Sequence, residues 1–188
     1  MDRSARRSSI GVVAALALAG CGGPGSFQGT VDGLTLAVKD SLFLAYNPGG
    51  DQLALLVLLM TDKPGLCEAM KAGNIFSNTT YFQAALGDSL SDPSALPPPG
   101  DFIVTNGFAP PARFTFATVF RTDASCGLPA SVDGHDGTVS VRQYRAQSGG
   151  SMTGTFDATF GTFEPAGHAT GDFNADFCDV PSVASGCQ

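Results

Sequence analysis

One seven-residue pattern, present twice, constrains the fold more than any other feature of the chain. Gly154-Thr155-Phe156-Asp157-Ala158-Thr159-Phe160 and Gly171-Asp172-Phe173-Asn174-Ala175-Asp176-Phe177 both spell G-x-F-x-A-x-F, seventeen residues apart. Side chains of an extended chain point alternately to opposite faces. Each copy therefore gathers Gly, Phe, Ala and Phe on one face and polar residues on the other. The connection at 162–166 has the length of an ordinary hairpin loop. The spacing predicts two adjacent antiparallel strands with Phe156, Phe160, Phe173 and Phe177 turned to a core, where the small residues leave room for rings from neighbouring strands. Two copies fall short of a solenoid, which needs three or more stacked units.

The rest of the chain reads mostly as strand. Asp32-Gly33 between 28–31 and 34–38 is a two-residue hairpin signature, because Asp-Gly accepts positive φ at the turn. A strand over 41–46 ends at Asn47-Pro48-Gly49-Gly50. The run 53–60 is apolar on both faces. Its length and turn-rich flanks suit a central buried strand, and periodicity alone leaves a buried helix open. Residues 64–72 form the one helix expected, with Pro64 in its first turn and Gly73 as a left-handed cap. Strands are expected over 81–86 and 101–105, joined by a rigid extended loop through Pro97-Pro98-Pro99-Gly100. Over 112–121, Phe114, Phe116 and Phe120 share one face and Arg113, Thr115 and Arg121 the other, with the phenylalanines assigned to the core. A turn at Asp133-Gly134-His135-Asp136-Gly137 precedes a strand over 138–145 whose apolar face is Val139 and Val141. About ten strands with short connections predict a mainly β fold: a single antiparallel β-sandwich or barrel with one short helix.

The N-terminus is of another kind. Arg3, Arg6 and Arg7 precede an apolar run at 10–19, which as a helix would rise ~15 Å. A bilayer core is ~30 Å thick, so the run is too short for a spanning anchor. Basic head, short apolar middle and small-residue exit are the marks of a cleaved signal peptide. Leu18-Ala19-Gly20-Cys21 closes it, and this stretch resembles the lipobox of bacterial lipoproteins. The resemblance covers residues 1–21 and implies lipidation at Cys21, membrane attachment through that lipid, and a location in the cell envelope. Gly22 stands where an aspartate favours inner-membrane retention in enteric bacteria, which points to the outer membrane. The organisation expected is a signal peptide at 1–20, a Gly-rich tether at 21–26 and a β domain at 27–188.

With Cys21 assigned to lipid, Cys67, Cys126, Cys178 and Cys187 remain. An even number in an oxidising compartment reads as two disulfides. Four cysteines allow three pairings. The reading favoured here is Cys178–Cys187, a short loop through Pro181, with Cys67–Cys126 tying two long connections. Zinc is the rival, against which stand the absence of a C-x-x-C pair and the lack of histidines at ligand spacing from a cysteine.

Chemistry-bearing motifs are few. Asp172, Asn174 and Asp176 match the opening of an EF-hand loop, but Phe177 stands where the loop needs glycine and Val183 where it needs a bidentate acid. Strand alternation produces the same spacing, so no metal site is expected. Asp133 and Asp136 flank His135, and His168 falls on the polar face of the last strand. Neither G-x-S-x-G nor H-E-x-x-H occurs, and no phosphate-cradling glycine loop precedes a helix. No catalytic residue and no cofactor is expected. The whole chain carries a net charge of −7, and the leader removes three of its arginines. Nucleic acid, bound through basic patches, is excluded as a partner class. Two functions lead: a lipid-anchored envelope module for interaction or structure, its protein partner unknown, or a barrel binding an apolar small molecule, with a hydrolase third. A filled core favours the first and an apolar cavity the second. With no tryptophan in the chain, the G-x-W signature of lipocalins is missing.

Overall fold

The computed structural model describes residues 23–47, 49, 52–107, 110–161, 166–180 and 186–188. The signal segment, Cys21, Glu164 and Pro181 lie outside them. The repeat forms β9 (Ser151–Phe160) and β10 (Gly167–Phe177), paired antiparallel over ten residues. Their register explains the repeat. Gly154 faces Phe173 and Phe156 faces Gly171, so each copy's ring lies over the other copy's glycine. A Cβ at Gly171 would stand 2.7 Å from the Phe156 ring, and one at Gly154 would collide with Phe173. Large side chains opposite small ones let a narrow interior fill without voids, and rings laid over glycines restore the packing that glycine lacks.

The remaining strands are β1 (Gly25–Val31), β2 (Asp40–Tyr46), β3 (Leu55–Thr61), β5 (Thr80–Asp88), β6 (Gly100–Val104), β7 (Arg113–Arg121) and β8 (Ala130–Tyr144), with two-residue β4 (Asn74–Ile75) and β11 (Gly186–Cys187) forming a separate pair. The order β10-β2-β3-β5-β7-β6-β8-β9 returns to β10 and closes an eight-stranded barrel, against which β1 lies as a ninth strand on β10. Most pairings are antiparallel. Within the barrel two are parallel, β10–β2, which closes the ring, and β6–β7, and the separate β4–β11 pair is parallel as well. The helix α1 (Leu66–Lys71) packs outside the barrel.

Eight strands leave an interior just wide enough for side chains. Here it is filled by Phe43, Phe82, Phe102, Phe160, Leu56, Leu58, Met60, Leu86 and Met152, all below 2 % exposed. Phe82 and Phe156 stack at 4.5 Å. At one end Arg113 lies 4.4 Å above the Phe102 ring and 3.7 Å from Asp88.

Four expectations change. Asp32 (φ 47°) and Gly33 (φ 74°) do form the tight turn, but beyond the Val31–Leu34 bridge the second arm leaves the ladder, because β10 takes β1 instead. The 133–137 turn lies inside β8, where the register shifts between Gly134 and Asp136: Asp and Gly there serve a bulge. On β7 the core face is Thr115, Ala117 and Val119, while Phe116 is 42 % exposed. The reason is room: Val119 faces Phe82 and Thr115 faces Leu86 on β5, so the interior admits only small groups there and the rings turn outward. Last, the two disulfides are Cys67–Cys178 and Cys126–Cys187, each with Cα atoms 5.6 Å apart. Cys178 leaves β10 beside α1, its N–H bonded to Phe43 O. Cys187 lies across on β11, which pairs with β4 next to the Cys126 loop.

Candidate functional site

The outer surface of the barrel has two unlike halves. Across β1, β10, β9 and β8 the outward rows are polar. Ser26, Asp172, Thr155 and Ser140 form one register row, and Gln28, Thr170, Asp157 and Thr138 the next. His168 lies on this wall, 2.7 Å from Asp157, with side-chain exposures of 54 % and 72 %. A His–Asp couple is what orients a general base, but no described hydrogen bond joins His168 to a hydroxyl nucleophile, and an exposed pair of this kind is worth little. Asp172 pairs with Ser26. Asp172 and Asp176 point to solvent from β10, as alternation requires. Asp133 accepts a hydrogen bond from Thr118 at 2.9 Å. No group of three or more potential metal ligands exists among the described residues.

The opposite half, across β2, β3, β5 and β7, is apolar outside as well as inside. Leu42, Leu59, Leu66, Met70, Tyr81 and Cys178 form a second buried cluster, with Phe120 and Cys67 against it. The helix that covers it is one and a half turns long, too short to be stable alone. Three devices hold it. Asp40 of β2 accepts hydrogen bonds from the N–H groups of Gly65 and Leu66, both at 2.8 Å, which satisfies donors the helix start leaves open. Gly73, at φ 76°, closes the other end. Cys67–Cys178 staples the helix to the end of β10.

Between α1 and the wall a pocket of about 150 Å³ remains, lined by Leu59, Leu66, Met70, Ile75, Tyr81, Gln83 and Phe120. Tyr81 and Phe120 stack there at 4.9 Å, 12° from parallel. The Tyr81 hydroxyl accepts a hydrogen bond from the Phe76 N–H at 2.9 Å. Burial pushes this phenol above its ordinary range, the Asp62 carboxylate adds to the rise, and the Phe76 hydrogen bond opposes it. Of the residues singled out in the sequence, the structure brings Cys67 and Cys178 together in the apolar cluster beneath α1, while Cys126 and Cys187 lie together elsewhere. None of the lining residues was anticipated. The available signal was the run 53–60: a strand apolar on both faces needs cover on both faces.

Comparison with protein-family models, curated proteins and solved structures found no match. Fold and site therefore define a class and no more: a disulfide-stapled, eight-stranded β-barrel with a filled interior and a small apolar pocket outside its wall.

Proposed function

We propose that this chain is a binding protein of the bacterial envelope, anchored through lipid on Cys21, whose ligand is a small apolar molecule held between α1 and the barrel wall. The pocket carries this reading. An apolar volume of 150 Å³ is enough for a benzene ring, and this pocket, partly open to solvent, has aromatic and thioether walls. The filled interior argues against ligand binding inside the barrel, so the binding reading moves to the outer wall. Titration of the full-length protein with toluene, followed by the methyl resonances of Leu66 and Met70, is expected to give saturable shifts. No shift at toluene saturation would refute it.

The anchor reading rests on the lipobox resemblance and gains a geometric consequence. Pro24 O lies within hydrogen-bond distance of the Ser41 hydroxyl (2.5 Å) and the Asn174 N–H (3.2 Å), and β1 already begins at Gly25. Three residues span at most about 10 Å. A lipid on Cys21 would thus hold the barrel wall near β2 close to the headgroups. Cys21→Ala is expected to release the protein from the membrane fraction. Unchanged partitioning would remove the anchor and leave the pocket reading untouched.

A further inference from the structure

From the lining of the same pocket, and resting on its assignment as a ligand site, we infer that the ligand is a neutral aromatic ring bearing a group that both donates and accepts a hydrogen bond, such as a carboxamide, and that Gln83 reads this group. Gln83 is the outward residue of β5 on the rung Leu59–Gln83–Thr118. Neighbouring outward positions along the apolar wall are Leu42, Leu59 and Tyr81. An amide offers two donors and an acceptor with two lone pairs. Gln83 is half-buried and its amide makes no hydrogen bond within the protein among the described residues, so a ligand there replaces water, whereas the other polar side chain of the lining, the Tyr81 hydroxyl, is engaged with the Phe76 backbone. A free primary amide in a lining otherwise made of Leu, Ile, Met and aromatic side chains is how small-molecule sites are built: mostly apolar, with few placed polar groups that fix orientation.

Three observations narrow the ring. The volume of about 150 Å³ matches one six-membered ring. The stacked Tyr81–Phe120 pair presents ring surfaces, which favour an aromatic guest by offset or edge contact. Met70 adds a thioether, whose contact with aromatic rings is favourable. Charge narrows it further. The Asp62 carboxylate lies beside Thr80, next to Tyr81 on β5, with its Oδ2 3.4 Å from the Thr80 N–H, so a ligand carboxylate meets a like charge nearby where a carboxamide of the same shape does not.

Toluene, benzamide and benzoate, titrated into the full-length protein and its Gln83→Leu variant, test this. All three carry one ring and differ in the polar group. Wild-type protein is expected to bind benzamide tighter than toluene and benzoate weakest, with dissociation constants on the order of 1 mM for so few atoms. Gln83→Leu is expected to weaken benzamide about three- to tenfold, the worth of one neutral hydrogen bond, and to leave toluene within about twofold. Loss of the benzamide preference only in the variant supports the inference. Toluene binding with no benzamide preference in the wild type, or a preference that survives Gln83→Leu, overturns it and spares the pocket. Failure of both toluene and benzamide to bind removes the pocket reading and the inference with it. If Gln83→Leu does not fold, Gln83→Glu, which keeps the acceptor and adds a charge, is expected to lower benzamide affinity and to abolish benzoate binding; benzamide affinity unchanged in it would equally overturn the role of Gln83.

Discussion

The two halves of the barrel wall share an interior and differ only in what they turn outward. Along β8, β9, β10 and β1 the outer face is Thr, Ser, Asp and Gln, and water covers it. Along β2, β3, β5 and β7 the outer face is mostly Leu, Val, Tyr and Phe, broken by Gln83 and Thr118, and protein must cover it: α1 and the C-terminal segment after β10 do so over part of its area. A strand wet on one side needs only alternation, whereas a strand dry on both sides needs a second layer. The helix, the Asp40 cap and the Cys67–Cys178 bridge exist for that second layer. The imperfect fit between a short helix and a curved wall leaves the pocket.

The sharpest way to break this comparison is to truncate rings on the two faces of the apolar wall. Phe82 is fully buried in the interior and stacks on Phe156, so Phe82→Ala is expected to cost about 3–5 kcal/mol. Phe116, outward on β7 and 42 % exposed, is expected to cost less than about 0.5 kcal/mol as alanine. Urea denaturation measures both. Equal costs would mean that the phenylalanines of β7 face the core after all.

Removal of the second layer's staple comes next. Cys67→Ala with Cys178→Ala is expected to cost about 2–5 kcal/mol. The bridge closes a separation of 111 residues against 61 for Cys126–Cys187, which on chain entropy alone adds about 0.5 kcal/mol. Only the first double variant should also lose toluene binding. Loss of binding in both would place the effect in general loosening rather than in α1.

How much was legible follows the same division. Where one face is wet, pattern sufficed: the strands at β9 and β10, their antiparallel pairing and the inward Phe156, Phe160 and Phe173 were all readable from alternation. On β7 both faces carry apolar groups, so ring size alone decided the reading, and it pointed the wrong way. What fixes that strand is the bulk already present opposite it, Phe82 and Leu86, a cross-strand fact that no local pattern contains. The cysteines behave similarly. Their number and compartment imply two bridges, but the pairing depends on where the chain after β10 runs, and that is set by β11 joining β4. The pocket was invisible because its walls come from five separate elements, although the two-faced apolarity of β3 already called for a covering layer.

A smaller test sharpens the polar half. Gly171 has no room for a methyl group against the Phe156 ring and the Ser26 carbonyl, so Gly171→Ala is expected to cost about 1–3 kcal/mol. Part of that cost should vanish when Phe156 is changed to Leu, since residues in contact couple by about 0.5–3 kcal/mol. Additive costs in the double variant would show that the ring-over-glycine contact is not what sets the register of β9 and β10.

The smallest effect is expected from pH, and it separates the halves without a change in packing. Tyr81 in the apolar wall has its phenol raised above the ordinary value, chiefly by burial. A group whose folded pKa lies above its unfolded one contributes stability that is fully present below the unfolded value, about 10 for tyrosine, and lost as pH rises through the folded value. Tyr144, which donates a hydrogen bond to Pro97 O at 3.0 Å and is also raised by burial, behaves the same way. Stability should therefore be flat with respect to these two groups up to about pH 10 and fall beyond it. Toluene affinity separates them, because only Tyr81 lines the pocket. In wild type and in Tyr144→Phe the affinity should fall as pH rises through the raised folded value of Tyr81, as a phenolate forms in the pocket wall. In Tyr81→Phe, which keeps the ring and removes the titrating group, it should stay level over the range where the protein remains folded. An alkaline fall of the same size in Tyr81→Phe would mean that the apolar wall as a whole loosens at high pH, and that the pocket is no more rigid than the helix that covers it.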